Sequence, residues 1–559
     1  MEFISNIVDT LNGWLWSYVL IAMLVGLGSW FTVGSGFVQI RCIKEMVRLI
    51  TKTAGSKVGE GGISSFQAFC ISTASRVGVG NIAGVAIAVV AGGPGAVFWM
   101  WLIALIGSAS GFVESTLGQI YKVPRQGGGF LGGPAYYIKN VLGNKSMAVL
   151  FAVLISVTYG LIFNSVQSNT IAISCSNAFG IDRAVIGGVV TALTALVIFG
   201  GITRIAKVAE MMVPFMAGIY LLVAFYVVIS NIALVPQMFA DIISSAFGMD
   251  AAIGGGIGAA MMQGIKRGLF SNEAGMGAVP NAAATATTSH PVKQGLIQAF
   301  GVFVDTLLVC TASAFIVLLT KDYAASGKTG IELAQFALSQ HIGSWAGTFL
   351  AVMIILFAFS SIVGNYYYGD INMPFICESK SALNIYRVMV VGMVMFGSVA
   401  EVPFVWNLAD LFMALMAIVN LVAITQLSKY AYVALNDYLA QKRAGIVEPE
   451  FDLVLESICS ALLDDVVARH DAYAACLALR KCRKKVGVVS RVDQLDLVFL
   501  LCIRDVVHGV SFQLDVFERV EGGLDGRLRL LCRFGFAELL EQFRKQVVCK
   551  PVFFEAYVA

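Results

Sequence analysis

Apolar runs of about 20 residues recur along most of this chain, and a helix of that length crosses a lipid bilayer. These runs constrain the fold more than any other feature, because 58% of the residues are hydrophobic and only 13% are charged. An ordinary soluble globule is thereby excluded. The runs predict an all-α membrane protein with about eleven transmembrane helices, near residues 14–37, 66–91, 95–120, 147–167, 184–201, 208–232, 253–284, 296–319, 345–366, 387–399 and 405–424.

Basic residues are concentrated in alternate loops between these spans. Most of them lie in one set of loops, namely Arg41, Lys44, Arg48, Lys52, Lys57, Lys122, Arg125, Lys139, Lys145, Arg204, Lys207, Lys293 and Lys380. The other loops hold far fewer. By the positive-inside rule, we expect a multi-pass protein of the bacterial inner membrane, with its N-terminus outside and its C-terminus in the cytoplasm. The net charge of +3 is spread along the chain, so membrane lipid is an expected partner and nucleic acid is not.

The second span contains a stretch that a lipid-facing helix would not tolerate. Residues 72–81 read STASRVGVGN, which combines three hydroxyl side chains, an arginine and two glycines within a few turns. Irregular backbone at membrane depth survives only where it lines a cavity or is buried in protein. Freed N–H groups bind anions and freed carbonyls bind cations, so this break is a candidate site for a zwitterionic solute and a coupling ion.

The seventh span is interrupted in a similar way. From Gln263 to Gly277 the chain reads QGIKRGLFSNEAGMG, so Lys266, Arg267 and Glu273 would all lie at membrane depth. A loop that dips into the interface is the simpler alternative. If one extra span precedes ten others, however, the two breaks open two equivalent five-span halves. That arrangement is the sequence signature of an inverted-repeat transporter.

Isolated polar residues in other spans have structural as well as functional interpretations. Asp305 could form a structural pair or coordinate an ion, since an intramembrane acid normally faces a partner or a cavity. Glu114 suits a structural salt link or an interfacial role near the end of its span. Ser360 and Ser361 could bond helix carbonyls one turn back, and Gln167 could cap the fourth span.

Four stretches resemble the alanine or glycine:cation symporter family. The most specific is GGPGAVFWMWLIALIG at residues 92–107, and the others are RVGVGN at 76–81, GLFSNEAG at 268–275 and WNLAD at 406–410. The resemblance covers roughly residues 12–452. It implies the leucine-transporter-type fold of the amino acid–polyamine–organocation superfamily, with one extra N-terminal span, a five-plus-five inverted repeat, and broken helices at spans 2 and 7.

The resemblance also implies which residues bind the substrate. Sodium-coupled members of this fold carry a Gly-x-Gly-Asn break, matched here by residues 78–81, and the amides of Val79 and Gly80 would hold the substrate carboxylate. The full substrate-binding set is Ser75, Gly78, Val79, Gly80, Gln167, Phe270 and Asn365. Many members have Trp in place of Asn365, and some have Thr in place of Val79. The missing indole leaves room for a longer or more polar side chain, such as that of glutamine or asparagine.

The coupling ion that the resemblance implies is Na⁺, with no organic cofactor. Carbonyl and hydroxyl oxygens, the hard ligands that suit this ion, would come from Ala74, Val77, Ser360 and Ser361. Two further residues, Asn81 and Ser271, match positions that hold a second Na⁺ in some relatives.

The resemblance ends near residue 452. Residues 1–432 are predicted to form the transmembrane transporter domain, and residues 433–559 a cytoplasmic extension of uncertain structure. Beyond residue 452 the chain has mixed charge, six cysteines and no run as long as a span. It is either a small regulatory domain or an accessory extension without a defined role.

The sequence therefore predicts a secondary active symporter that imports a small neutral amino acid with Na⁺ by alternating access. Alanine, glycine, glutamine and asparagine are the candidate substrates, and the transport unit is expected to be a monomer. Proton coupling through Asp305 or Glu273 is one alternative, and a passive uniporter or channel is another. An intramembrane enzyme is disfavoured, because the predicted spans contain no metal-binding cluster of His, Cys and Asp and no Ser–His arrangement.

Overall fold

The computed structural model describes residues 2–53, 63–125, 129–199, 202–248 and 256–451. The described part is helical, as predicted, apart from one antiparallel pair of short strands, β1 (Val123–Pro124) and β2 (Phe130–Leu131). The chain divides into two compact units, Met1–Leu435 and Asn436–Ala559. The six-cysteine stretch that follows residue 452 lies outside the described residues.

The helices of the first half include the first of the two predicted breaks. They are α1 (Glu2–Trp14), α2 (Ile21–Gly34), α3 (Val38–Arg41), α4 (Ile43–Thr53), α5 (Ser65–Arg76), α6 (Val85–Gly92), α7 (Gly95–Ile120), α8 (Pro134–Asn140), α9 (Lys145–Val157), α10 (Asn164–Phe179), α11 (Arg183–Ile198), α12 (Ile202–Ser230) and α13 (Val235–Ala246).

The helices of the second half include the second predicted break. They are α14 (Gly256–Asn272), α15 (Val279–Thr285), α16 (Pro291–Val302), α17 (Thr311–Leu318), α18 (Gly330–Ile342), α19 (Ala346–Ile376), α20 (Lys380–Val399) and α21 (Val402–Arg443). Short 3₁₀ turns lie at Ile232–Leu234 and Ala324–Ser326.

In the described part of the chain, four π-helical segments join consecutive helical pieces, at Leu15–Leu20, Gly80–Gly84, Thr158–Phe163 and Phe303–Cys310. A π-helical turn widens the backbone locally and is frequent at functional sites. The last three of these segments contribute residues to the polar site that the two breaks form. The wider turns therefore occur where side chains have to be aimed into the protein interior.

Among the described residues, eight helices are long and apolar enough to cross a membrane, or nine if α5 and Gly80–Gly92 form one span bent by 50°. The predicted span at residues 95–120 coincides with α7 at both ends. The shorter apolar helices are α11 and Ile232–Ala246. The predicted seventh span corresponds to the separate helices α14 and α15. The predicted total of about eleven spans stays a prediction.

The fourth span extends beyond its predicted end at Gln167. Helix α10 continues to Phe179, so Gln167 lies inside the helix and the prediction that it caps the span is wrong. Polar side chains such as Ser168 and Asn169 follow it and are buried against other helices. Because they face protein rather than lipid, the helix continues even though its sequence is no longer apolar.

A capping box fixes the start of the helix that leads into the first break. The Ser64 hydroxyl accepts a hydrogen bond from the Gln67 amide at 3.1 Å, and Gln67 Oε1 accepts one from the Ser64 amide at 3.0 Å. Two of the free N–H groups at the start of α5 are thereby satisfied. The helix then runs without interruption to Arg76.

Helix α14 packs closely against α7 through Gly264. A Cβ atom added at Gly264 would lie 2.6 Å from the Trp99 Cβ atom, and closer still to the carbonyl oxygen of Ala96. The backbones can therefore approach only because this position has no side chain, as is common between membrane helices. The contact sets the position of the helix that leads into the second break.

We predict that Gly264→Ala lowers the thermal stability of the purified protein in detergent, whereas Gly258→Ala on the same helix does not. The added methyl group must push α14 away from α7, and overpacking of this kind costs roughly 1–3 kcal/mol. A Cβ atom at Gly258 meets nothing within 4 Å. Equal unfolding temperatures for the two variants would contradict the close contact.

Candidate functional site

The first break separates α5, which ends at Arg76, from the helical turn that begins at Gly80. Its freed amides are satisfied by side chains. The Gly78 N–H donates to Asn81 Oδ1 at 2.9 Å, and the Val79 N–H donates to Gln167 Oε1 at 3.2 Å. Gln167, predicted to face the substrate, is therefore tied directly to the break.

The second break runs from Glu273 to Ala278, between α14 and α15. Glu273 and two glycines there have positive φ angles, of 56°, 86° and 81° for Glu273, Gly275 and Gly277. The freed amides of both glycines donate to the Glu114 carboxylate, at 3.1 Å and 3.0 Å. Glu114 thus accepts hydrogen bonds from peptide amides, whereas the sequence suggested that it forms a salt link.

A side chain from the last membrane helix completes this arrangement. Asn420 Nδ2 donates to Glu114 Oε2 at 2.8 Å and to the Gly275 carbonyl at 2.9 Å. The Tyr137 hydroxyl in turn donates to Asn420 Oδ1 at 2.6 Å. Sequence reasoning missed Asn420 and Tyr137. Neither stands out, because a single amide or phenol in an apolar run has many ordinary explanations.

Two of the predicted substrate-binding side chains, Ser75 and Asn365, meet Glu273 at the junction of the breaks. The Ser75 hydroxyl lies 2.9 Å from Glu273 Oε1 and 2.7 Å from Asn365 Oδ1. Gln167 lies on the other side of the first break, where it binds Val79. All of these side chains are at least nine-tenths buried. The predicted substrate-binding set did not include Glu273.

Phe270 lies in an aromatic stack beside the first break. Its ring centre is 4.8 Å from that of Phe163 and 5.0 Å from that of Trp406. A Cβ atom added at Gly80 would lie 2.7 Å from Phe270 Cδ1. Gly80 does not have a positive φ angle. Its lack of a side chain is therefore required by the Phe270 ring rather than by the backbone conformation.

The serine pair predicted to bind Na⁺ is divided between two environments. Ser361 Oγ donates to the Ala74 carbonyl at 2.9 Å, whereas Ser360 Oγ lies 3.6 Å from the Met216 sulfur. Both hydroxyls also bond the Phe357 carbonyl, which confirms the prediction that they can bond a helix carbonyl one turn back. Val77 is fully buried at the end of α5.

The two residues predicted for a second Na⁺ lie together, and Asp305 joins them. Asn81 Nδ2 donates to Ser271 Oγ at 2.9 Å and to Asp305 Oδ1 at 2.6 Å. Ser271 Oγ donates to Asp305 Oδ2 at 2.5 Å. The Asp305 carboxylate and the Ser271 hydroxyl supply oxygen ligands that hard cations prefer, whereas Asn81 presents Nδ2 here and its Oδ1 accepts from the Gly78 amide. These bonds also agree with the alternative prediction that Asp305 forms a structural pair.

The basic residues of the seventh span pair with an acid that the sequence did not single out. Arg267 Nη2 and Lys266 Nζ lie 2.6 Å and 3.2 Å from Asp410 Oδ2. The Arg267 guanidinium also lies 4.8 Å from the Trp406 ring centre. Because Trp406 stacks on Phe270, this charge cluster is in contact with the aromatic wall of the site.

Buried polar side chains gathered around two interrupted helices, within a chain of apolar spans, define a multi-pass transporter of the inner membrane. Residues 1–453 match the sequence model of the sodium:alanine symporter family. The chain belongs to this family. The resemblance seen in the sequence alone is thereby confirmed.

Relatives across most of the chain are amino-acid carriers. The probable sodium/glutamine symporter GlnT of Bacillus subtilis (strain 168) is 55% identical over 79% of this chain and 92% of its own. The amino-acid carrier protein AlsT of the same organism is 52% identical over 80% and 95%. The sodium/alanine symporter AgcS of Methanococcus maripaludis is 37% identical over 77% and 95%.

We predict that Gly80→Ala reduces amino-acid uptake roughly ten- to a hundredfold, because the methyl group displaces the Phe270 ring and overpacking costs about 1–3 kcal/mol. Gly26→Ala is the matched control, since a Cβ atom there meets nothing within 4 Å. Uptake into proteoliposomes at equal protein density measures both variants. Normal uptake by Gly80→Ala would show that the ring position does not matter.

Proposed function

We propose that this protein is a Na⁺-coupled symporter that imports a small neutral amino acid by alternating access. The observation that carries the proposal is the meeting of the two helix breaks at Ser75 and Glu273, 2.9 Å apart and buried. Interrupted helices at membrane depth supply both peptide amides and carbonyls to a solute and an ion. Relatives whose names specify sodium with glutamine or alanine support the same function.

We further propose the finer architecture that the family resemblance implies. One N-terminal span precedes a five-plus-five inverted repeat of leucine-transporter type, giving about eleven spans with the breaks in spans 2 and 7. The N-terminus lies outside and the C-terminus in the cytoplasm. Residues 1–432 form a monomeric transport unit, and residues 433–559 form an extension that transport does not require.

In the proposed mechanism, the amides of Val79 and Gly80 hold the substrate carboxylate. Gln167 Oε1 occupies the Val79 amide when the two residues bond as they do here, so the substrate must displace it. Ser75, Gly78, Phe270 and Asn365 form the rest of the pocket. When the substrate carboxylate replaces Gln167 Oε1 at the Val79 amide, Gln167 loses its hydrogen bond. Substrate binding and the local arrangement of α10 therefore depend on each other.

The coupling ion Na⁺ is proposed to lie between α5 and α19. Its ligands there are Ala74, Val77, Ser360 and Ser361, and Na⁺ supplies a charge that holds the two helices together. A second Na⁺ would lie at Asn81 and Ser271, where we add Asp305 as the charged ligand. At the first place the Ser361 hydroxyl already meets the Ala74 carbonyl, and at the second the Ser271 hydroxyl meets the Asp305 carboxylate.

Proton coupling is the second candidate, and one observation favours it. Two acids, Asp305 and Glu273, are fully buried next to the breaks, and intramembrane acids commonly serve as proton relays. A relative from Bacillus sp. (strain PS3), 39% identical, is described as a sodium/proton-dependent alanine carrier protein. Passive flow through the same breaks is the remaining alternative.

Uptake of labelled alanine, glycine and glutamine into proteoliposomes tests the proposal. Accumulation above the external concentration with an inward Na⁺ gradient, and its loss without Na⁺, is the expected result. Accumulation that needs only a pH gradient would establish proton coupling. Equilibration without accumulation under either gradient would establish a uniporter or channel.

We predict that Ser361→Ala raises the Na⁺ concentration for half-maximal uptake more than Ser360→Ala does. Only the Ser361 hydroxyl bonds the Ala74 carbonyl, whereas Ser360 faces Met216. Loss of one oxygen ligand should shift the Na⁺ requirement about tenfold, a change of about 1.4 kcal/mol. Each Na⁺ titration is repeated at several pH values. A shift in the pH profile without a shift in Na⁺ requirement would contradict this placement of the ion.

We predict that Asn365→Trp reduces glutamine uptake at least about tenfold more than alanine uptake. An indole takes the space that a longer substrate side chain would fill, so glutamine loses more than alanine even if both lose a contact with the Asn365 amide. Competition by each unlabelled amino acid against labelled alanine measures the ratio. If the wild-type protein carries only glycine and alanine, and the variant leaves their ratio unchanged, Asn365 does not shape the pocket.

A further inference from the structure

Glu273 is held in an unfavourable backbone conformation at the second break. Its φ angle of 56° lies in the left-handed region, which is strained for a residue with a long side chain. The side chain is only 1% exposed to solvent. Among the described residues, Glu273 Oε2 has no hydrogen bond of normal geometry, although the Tyr159 hydroxyl lies nearby. A strained, buried and half-satisfied carboxylate points to a missing ligand.

The groups around Glu273 are uncharged hydroxyls and amides, including the Tyr159 hydroxyl near Glu273 and the Tyr368 hydroxyl near Ser75. The Ser75 hydroxyl has one proton, yet it lies within bonding distance of both Glu273 Oε1 and Asn365 Oδ1. The Asn365 amide cannot simply be turned around. Its Nδ2 donates to Asn164 Oδ1 at 3.1 Å, and Asn164 Nδ2 donates to the Gly160 carbonyl at 3.2 Å.

The nearby buried cation bonds to a different residue. The Arg76 side chain is 2% exposed, and its positive charge attracts the Glu273 carboxylate. Its guanidinium nevertheless donates to Gln298, through Nη1 to the backbone carbonyl at 3.2 Å and Nη2 to Oε1 at 3.3 Å. Among the described residues, therefore, no positively charged group donates a hydrogen bond to the Glu273 carboxylate, which leaves that position to a cation from outside the protein.

An alkylammonium group suits these three residues better than a bare metal ion. It brings three N–H donors, which match one oxygen each from Ser75, Glu273 and Asn365. It also brings carbon atoms. Aromatic rings are available to contact these carbon atoms. The ring centre of Tyr159 lies 4.8 Å from that of Phe163 and 5.1 Å from that of Tyr368.

We infer that Glu273, together with Ser75 and Asn365, binds the ammonium group of the amino-acid substrate. The inference rests on the proposed function and extends it, since the predicted pocket contained no group of opposite charge to the ammonium. It places the two ends of the zwitterion on different breaks. The carboxylate lies at the amides of the first break, and the ammonium lies at the side chain of the second.

The test is competition binding to the purified protein in the presence of Na⁺. Labelled L-alanine and L-glutamine are displaced by propionate and glutaramate, which are the same molecules without the ammonium group. Wild-type protein should bind these analogues at least about 100-fold more weakly, because charge-assisted hydrogen bonds are lost. Glu273→Gln should weaken amino-acid binding roughly 10- to 100-fold while changing analogue binding by less than about threefold.

Glu332→Gln is the matched control, because Glu332 is exposed on α18. This variant should bind the amino acids and the analogues as the wild-type protein does. If wild-type protein binds neither amino acid, the proposed function fails. If it binds them but does not reject the analogues, or if Glu273→Gln binds L-alanine normally, the ammonium site is wrong. Should Glu273→Gln not fold, Ser75→Ala is measured in its place. If Ser75→Ala weakened the binding of amino acids and of analogues equally, the assignment of the ammonium site would be overturned.

Discussion

The Glu114 carboxylate supports the rest of the site, because it satisfies the peptide groups that the second break exposes. Both of its oxygens accept hydrogen bonds from glycine amides of that break, and Asn420 closes the arrangement from α21. Within a membrane, each unsatisfied peptide group costs several kcal/mol, so a break without such a partner would return to helix. By holding Gly275 and Gly277 in place, Glu114 also fixes the direction in which Glu273 leaves the chain.

The first break is stabilised by different means. Its amides at Gly78 and Val79 are bonded to side chains, Asn81 within the break and Gln167 on α10. Close packing then brings α19 against it. A Cβ atom at Gly364 would lie 2.9 Å from the Ser75 amide nitrogen. Missing side chains thus allow Ser75 to reach Asn365 and Ser361 to reach Ala74, so the proposed substrate and ion sites share one pair of helices.

The buried pair of Arg267 and Asp410 supports an aromatic residue beside the first break. Arg267 bonds Asp410 and packs on Trp406, and Trp406 stacks on Phe270. A buried ion pair contributes little net stability, but it is strongly destabilising to remove one partner. The cluster therefore holds the aromatic wall of the site in one arrangement. If α14 moved relative to α21, the Arg267–Asp410 pair would separate and Phe270 would shift at the same time.

The sequence alone determined the helical membrane class and the family, because run length and long motifs are local properties of the chain, and its glycine placement predicted two interruptions. It also marked Ser75, Gln167, Asn365 and Ser361. Only the tertiary structure decided which groups meet. Asn420 with Glu114, and Asp410 with Arg267, are far apart in the chain, so their pairing depends on helix packing. The same reason explains why α10 continues beyond Gln167 and why Glu273 faces Ser75: burial against neighbouring helices, rather than local sequence, sets the surroundings of a polar side chain.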